Sequence, residues 1–145
     1  DVLRRDLTDV RFGADGCVVL SGVLLDPYSG RRIPFVRGEQ TSSAVQVDHV
    51  VALSDAWRTG AQDLSADERV EFANDPLELL AVDGPLNSAK GDSDASQWLP
   101  PQDACAYVAR QIAVKRKWGL WVTPSEHDAL AAALTDCPAV ALPAS

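Results

Sequence analysis

Asp48-His49 lies within the largely apolar stretch Val45-Gln46-Val47-Asp48-His49-Val50-Val51-Ala52-Leu53. The pair sets a carboxylate that can ligate a metal beside an imidazole that can take a proton. The chain holds only 2 histidines, so the placement of one here is informative. A second polar cluster, Asn87-Ser88-Ala89-Lys90-Gly91-Asp92, follows further along and could complete such a site. Successive residues of a regular strand face opposite sides, so Asp48 and His49 share a site only if the strand twists or ends there.

Each of these residues also has a plainer reading. A histidine in an apolar strand can be a satisfied core residue. Asn87, after Gly84-Pro85, can be a helix cap. Lys90 can be solvated surface, and His127, between Glu126 and Asp128, reads as surface.

The elements that must position these groups fit one domain of 145 residues, with 46% apolar residues for a core and an ordinary 23% charged. No apolar run approaches the roughly 20 residues that cross a bilayer, which argues against a membrane role. The chain starts at Asp1 and lacks methionine, as expected of a trimmed or processed product. A net charge of −8 counts against broad phosphate contact, although one local basic face would suffice. Basic residues do cluster, at Arg4-Arg5, at Arg31-Arg32 with Arg37, and at Lys115-Arg116-Lys117. The three cysteines lack CxxC spacing, which disfavours a zinc knuckle. One disulfide with one cysteine over fits a secreted or extracytoplasmic protein, and Cys105 with Cys137 is the favoured pair because they flank two predicted helices. Three reduced, buried thiols is the alternative.

Along the chain, residues 2–12 begin with a short helix-compatible stretch carrying Arg4 and Arg5. Cys17 to Leu25 and Arg31 to Val36 read as a hairpin around the turn Asp26-Pro27-Tyr28-Ser29-Gly30, with Pro34 marking an edge strand. A strand around Val45 to Val51 leads to a short helix over Leu53 to Trp57. Ser65 and Glu68 form a capping box for a helix that Asp75-Pro76 stops. Leu77 to Val82 is a further strand, followed by a helical segment carrying Asn87 and Lys90. A loop from Gly91 to Pro101 precedes a helix over Asp103 to Trp118, capped by Gly119. Thr123-Pro124-Ser125-Glu126 opens the last helix as a capping box, and the tail past Cys137 is expected to fray.

The order of strand with Asp48-His49, insertion, strand, and helix with Asn87 and Lys90 is the layout of a ββα-metal finger. The residues resemble the HNH endonuclease family. More closely, Asp48 to Trp57, Leu80-Ala81-Val82-Asp83-Gly84-Pro85 and Cys105-Ala106-Tyr107-Val108-Ala109-Arg110 are similar to a bacterial subgroup, the secreted HNH-type proteins related to the C-terminal domain of GmrSD-type restriction enzymes. The likeness runs from Asp6 to about Leu130.

The resemblance implies an α+β fold with a ββα-metal (HNH or His-Me finger) core over about residues 44–92, an N-terminal β-hairpin and C-terminal helices. It implies a metal-dependent endonuclease hydrolysing DNA, with RNA a possible substrate. His49 would be the general base, its other ring nitrogen held by a carbonyl or carboxylate. Asp48 and Asn87 would hold one divalent cation, Mg2+ or Mn2+ on an oxygen-only ligand set. Lys90, Arg37, Lys115, Arg116 and Lys117 are candidate phosphate contacts, and Trp118 or Trp121 could stack on bases. A monomer is expected, with an immunity protein as partner if the activity serves as a toxin. The family often places Asn on the second strand to brace the loop bearing the histidine, and Glu78 stands there instead. An ionised carboxylate cannot donate, so the brace is made differently, Asn74 substitutes, or Glu78 joins the metal site. That departure supports the alternative of a weakly active or inactive module that binds metal or nucleic acid. A carboxylate hydrolase acting on polysaccharide through Glu39 and Asp48 would leave His49 and Asn87 unexplained.

Overall fold

The computed structural model describes residues 2–137 and 140–143, and it is a mixed α+β fold. A short helix α1 (Val2–Asp6) runs into β1 (Leu7–Phe12), which pairs antiparallel with β2 (Val19–Leu25); β2 in turn pairs with β3 (Arg32–Val36). The expected hairpin is therefore a three-stranded sheet of order β1-β2-β3. The short helix-compatible start of residues 2–12 is α1, and β1 after it is a strand the sequence did not announce. Its alternation is interrupted at Asp9, whose φ of 53° falls at a register shift between Thr8 and Arg11. Asp tolerates that left-handed backbone better than most residues, and the resulting bulge hides the period of two. Pro34 sits on β3, an edge strand, where its missing N–H interrupts no inner ladder.

A second, two-stranded sheet carries the residues of interest. β4 (Val45–His49) pairs antiparallel with β5 (Leu79–Asp83) without a break, from Val45 opposite Asp83 to His49 opposite Leu79. Between them lie α2 (Leu53–Arg58) and α3 (Ala66–Ala73). The box that opens α3 is formed from both sides, Glu68 N–H on Ser65 Oγ at 3.2 Å and Ser65 N–H on Glu68 Oε2 at 2.8 Å.

α4 (Gly84–Lys90) begins as β5 ends. Asp83 caps it by accepting the Leu86 amide at 2.9 Å, and Pro85 lies in its first turn, where no N–H is missed. A Cβ on Gly84 would stand 2.0 Å from the Ser43 carbonyl oxygen, so glycine is what lets α4 start against the turn that precedes β4. That contact sets the helix across β4.

Two C-terminal helices, α5 (Ala104–Trp118) and α6 (Pro124–Thr135), complete the fold. The Cys105–Cys137 disulfide ties them together, with Cα atoms 5.8 Å apart, and Cys17 remains free and exposed. Gly119 ends α5 in the left-handed conformation at φ 64°. Thr123 caps α6, but Glu126 does not reach back to complete a box; its side chain is fully buried against Lys115. The fraying expected past Cys137 falls partly on residues 138–139 and 144–145, outside the described residues. Among the described residues, no helix is long and apolar enough to cross a membrane.

Candidate active site

His49 ends β4 half-buried, and the backbone beyond it is held from three elements. The Val50 N–H donates to the Glu78 carbonyl at 2.9 Å, and the Val51 N–H donates to the Glu78 carboxyl at 3.2 Å. From α5, Gln111 Nε2 donates to the Val50 carbonyl at 3.0 Å, and from α4, Lys90 Nζ donates to the His49 carbonyl at 2.8 Å. Val50 and Val51 are themselves fully buried. The imidazole sits on this fixed segment with Nε2 3.0 Å from the Ala73 carbonyl at the end of α3. A carbonyl can only accept, so Nε2 carries the proton and Nδ1 of the neutral ring keeps its lone pair.

Asp48 occupies the other face of the strand. Gln46 and Asp48, two apart on β4, meet Asn87 and Lys90, one turn apart on α4. Asn87 Nδ2 donates to Gln46 Oε1 at 2.9 Å, and Lys90 Nζ donates to Asp48 Oδ1 at 2.9 Å. The second Asp48 oxygen accepts the Tyr28 hydroxyl in a short hydrogen bond. Tyr28 is buried, and burial together with the neighbouring Asp48 charge holds its phenol well above the ordinary tyrosine range. Lys90 is 1% exposed and Asp48 5% exposed.

The oxygen types of Asp48 and Asn87 suit a hard divalent cation, but this arrangement does not fit one. Both Asp48 oxygens are engaged, one by a buried ammonium, and Asn87 contacts Gln46 rather than Asp48. Mg2+ retains several waters and would need an accessible carboxylate oxygen.

Glu78 supplies the brace. It is fully buried, one carboxyl oxygen holds the Val51 amide, and the other has no partner. Burial pushes its carboxyl up to about 9, and the Asp48 charge adds to this against the pull of the Val51 amide and Lys90. A carboxyl raised that far favours its protonated form at neutral pH, and the contact it makes here is the accepted Val51 amide. Asn74 does not take the role: its Nδ2 caps α3 through the Val70 carbonyl at 2.8 Å.

Of the expected phosphate contacts, Lys90 and Lys115 are buried in ion pairs, and Lys117 is paired at the surface. Lys90 points inward as described. Lys115 is 3% exposed and pairs with Asp55 at 2.9 Å and Glu126 at 2.6 Å. Lys117 pairs with Asp75 at 2.8 Å. Burial pushes the Asp75 carboxyl up, but Lys117, the Leu77 amide and Trp118 together bring it below the ordinary range. Arg116 is exposed, and Arg37 is exposed with Nε on the Val19 carbonyl at 2.6 Å. Trp118 packs edge-on against Phe72 and donates to Asp75 at 2.7 Å, whereas Trp121 is 48% exposed. Tyr28 and Gln111 were not singled out from the sequence: one lies in a turn motif and the other within an amphipathic helix, and neither position signals a polar contact with β4.

The model of the family described as GmrSD restriction endonucleases, C-terminal domain, matches residues 1–133. A relative from Arthroderma benhamiae, described as an uncharacterized secreted protein, is 40% identical over 141 residues. The match covers 94% of this chain and 65% of the relative, so the chain spans less than two thirds of that protein's length. The description of the relative as secreted agrees with the Cys105–Cys137 disulfide, since such bonds persist in oxidising compartments.

Proposed function

Because the chain belongs to the GmrSD restriction endonuclease C-terminal domain family, we propose that it is a secreted nuclease domain that hydrolyses phosphodiester bonds in DNA. His49 is the general base in this reading, and the β4–β5–α4 unit is an HNH-type core. One observation carries the proposal: His49 Nε2 is held on the Ala73 carbonyl, which leaves Nδ1 as the acceptor on a half-buried ring. That is the orientation a base needs to accept a proton from an attacking water, and the hydrogen bonds behind it limit the ring's drift.

The other residues act by positioning. Lys90 joins the Asp48 carboxylate to the His49 carbonyl, and buried Glu78 holds the Val51 amide. Asn87 keeps α4 against β4 through Gln46. Arg37 and Arg116 remain as exposed cations for the nucleic-acid backbone.

Incubation of supercoiled plasmid with the purified chain, with and without Mg2+ or Mn2+, tests the reading. Nicking that is lost in His49→Ala supports it, and intact plasmid under every condition contradicts it. A second reading, a family member that binds nucleic acid without cutting, is favoured by the enclosure of Asp48 between Tyr28 and Lys90. It expects a gel shift of DNA without cleavage, unchanged by His49→Ala.

A further inference from the structure

On the side of the molecule formed by α2, the loop after α4, α5 and α6, three acids converge: Asp55, Asp94 and Glu126. Each offers a carboxylate oxygen, and the three oxygens lie within 4.8 Å of one another. Asp55 and Glu126 are buried and Asp94 is partly so. One ammonium serves them: Lys115 Nζ, at 2.9 Å from Asp55 and 2.6 Å from Glu126. Its remaining contact is the Trp121 carbonyl at 3.4 Å. Asp94 uses one oxygen on the Ser96 amide at 2.8 Å and on the Ser96 hydroxyl.

Two features set this cluster apart from a surface patch of acids. Glu126 is 0% exposed, and its Oε2 has no hydrogen-bond partner among the described residues, an arrangement that is costly for a buried carboxylate. The charges also do not balance. Three carboxylates against one ammonium leave two uncompensated negative charges at the edge of the core, the complement of one divalent cation.

We propose that Asp55, Asp94 and Glu126 form a structural Ca2+ site, separate from His49, that pins α6 and the loop after α4 to α2. The ligand set is oxygen only, which selects a hard cation. Ca2+ accepts carboxylates and waters in flexible geometry, whereas Mg2+ demands a near-ideal octahedron, so three acids on separate elements with water completing the shell suit Ca2+. Partial exposure of Asp94 gives the ion a way in and lets water complete its shell. The affinity expected is that of extracellular calcium modules, with Kd on the order of 10⁻⁴–10⁻³ M.

Titration of the EDTA-treated chain with CaCl2 by calorimetry, paired with thermal melts, tests this. The wild type should bind one Ca2+ and melt roughly 3–5 °C higher in Ca2+ at about ten times Kd. Asp94→Asn, at the partly exposed position and so the variant best able to fold, should weaken binding at least about tenfold and lose most of the shift. Asn87→Ala, on α4, should keep both. Absence of saturable binding by the wild type overturns the proposal. So does binding that survives Asp94→Asn or disappears with Asn87→Ala. Because binding and melting are read without any cleavage assay, failure here leaves the nuclease reading standing.

Discussion

The carboxyl of Glu78 holds the backbone amide of Val51 at 3.2 Å, two residues past His49. The carboxyl accepts this N–H as a side-chain amide oxygen would, and burial raises it well above the ordinary carboxylate range.

Stability should therefore fall as pH rises. A carboxyl raised from its ordinary 4.5 to about 9 binds its proton in the folded chain and releases it in the unfolded chain across that window. Its contribution is complete below about pH 4.5 and is lost as pH climbs through about 9. Glu126, also raised, adds a trend of the same sign. Urea midpoints at pH 5.5 and 8.5 check this: wild type should be less stable at the higher pH, and Glu78→Gln should flatten the difference. An unchanged slope in Glu78→Gln would show that this carboxyl is ionised throughout.

Loss of Lys90 should be severe, and for structural reasons. Lys90→Ala strands the buried Asp48 carboxylate with only Tyr28 as partner, at a cost of about 3–5 kcal/mol. Asp48→Asn in the same background should recover a large part, since the unpaired charge is gone. Denaturant unfolding of the single and double variants measures the coupling. Additive effects would contradict a direct pairing.

The Cys105–Cys137 bond closes a span of 32 residues around α5 and α6. Replacing both cysteines by serine should lower stability by about 2–4 kcal/mol. The hydrogen bonds that hold the His49 segment come from Ala73, Glu78, Lys90 and Gln111, not from either cysteine, so activity at low temperature should persist. Mass spectrometry under non-reducing conditions should show Cys17 alone reacting with a thiol reagent.

Much of this was legible in the sequence, for physical reasons that differ by element. Ser65-x-x-Glu68 and Thr123-Pro124 announce helix starts because caps are local chemistry, and both helices begin there. The strand pair bearing Asp48-His49 and the helix bearing Asn87 were legible from their order and spacing. The bulge at Asp9 hid β1, because a left-handed residue breaks the alternation that identifies a strand. Partner choice was not legible. Lys90 and Lys115 read as solvent-facing cations, yet both are buried against acids distant in sequence. Glu126 read as a box residue and turned inward for the same reason. Nor could the sequence show that Glu78 is a fully buried acid whose carboxyl is raised, since that depends on enclosure by the fold.

The central claim is that the imidazole of His49, oriented by the Ala73 carbonyl, takes a proton during phosphodiester hydrolysis. The direct measurement is the initial cleavage rate of an end-labelled DNA duplex by wild type and His49→Ala, with equal folding checked by circular dichroism. The ring is half-buried and hydrogen-bonds the Ala73 carbonyl, so the variant should fold, and its rate should drop by roughly 10²–10⁴-fold. Equal rates in the two folded proteins, or no cleavage by the wild type, would contradict the account.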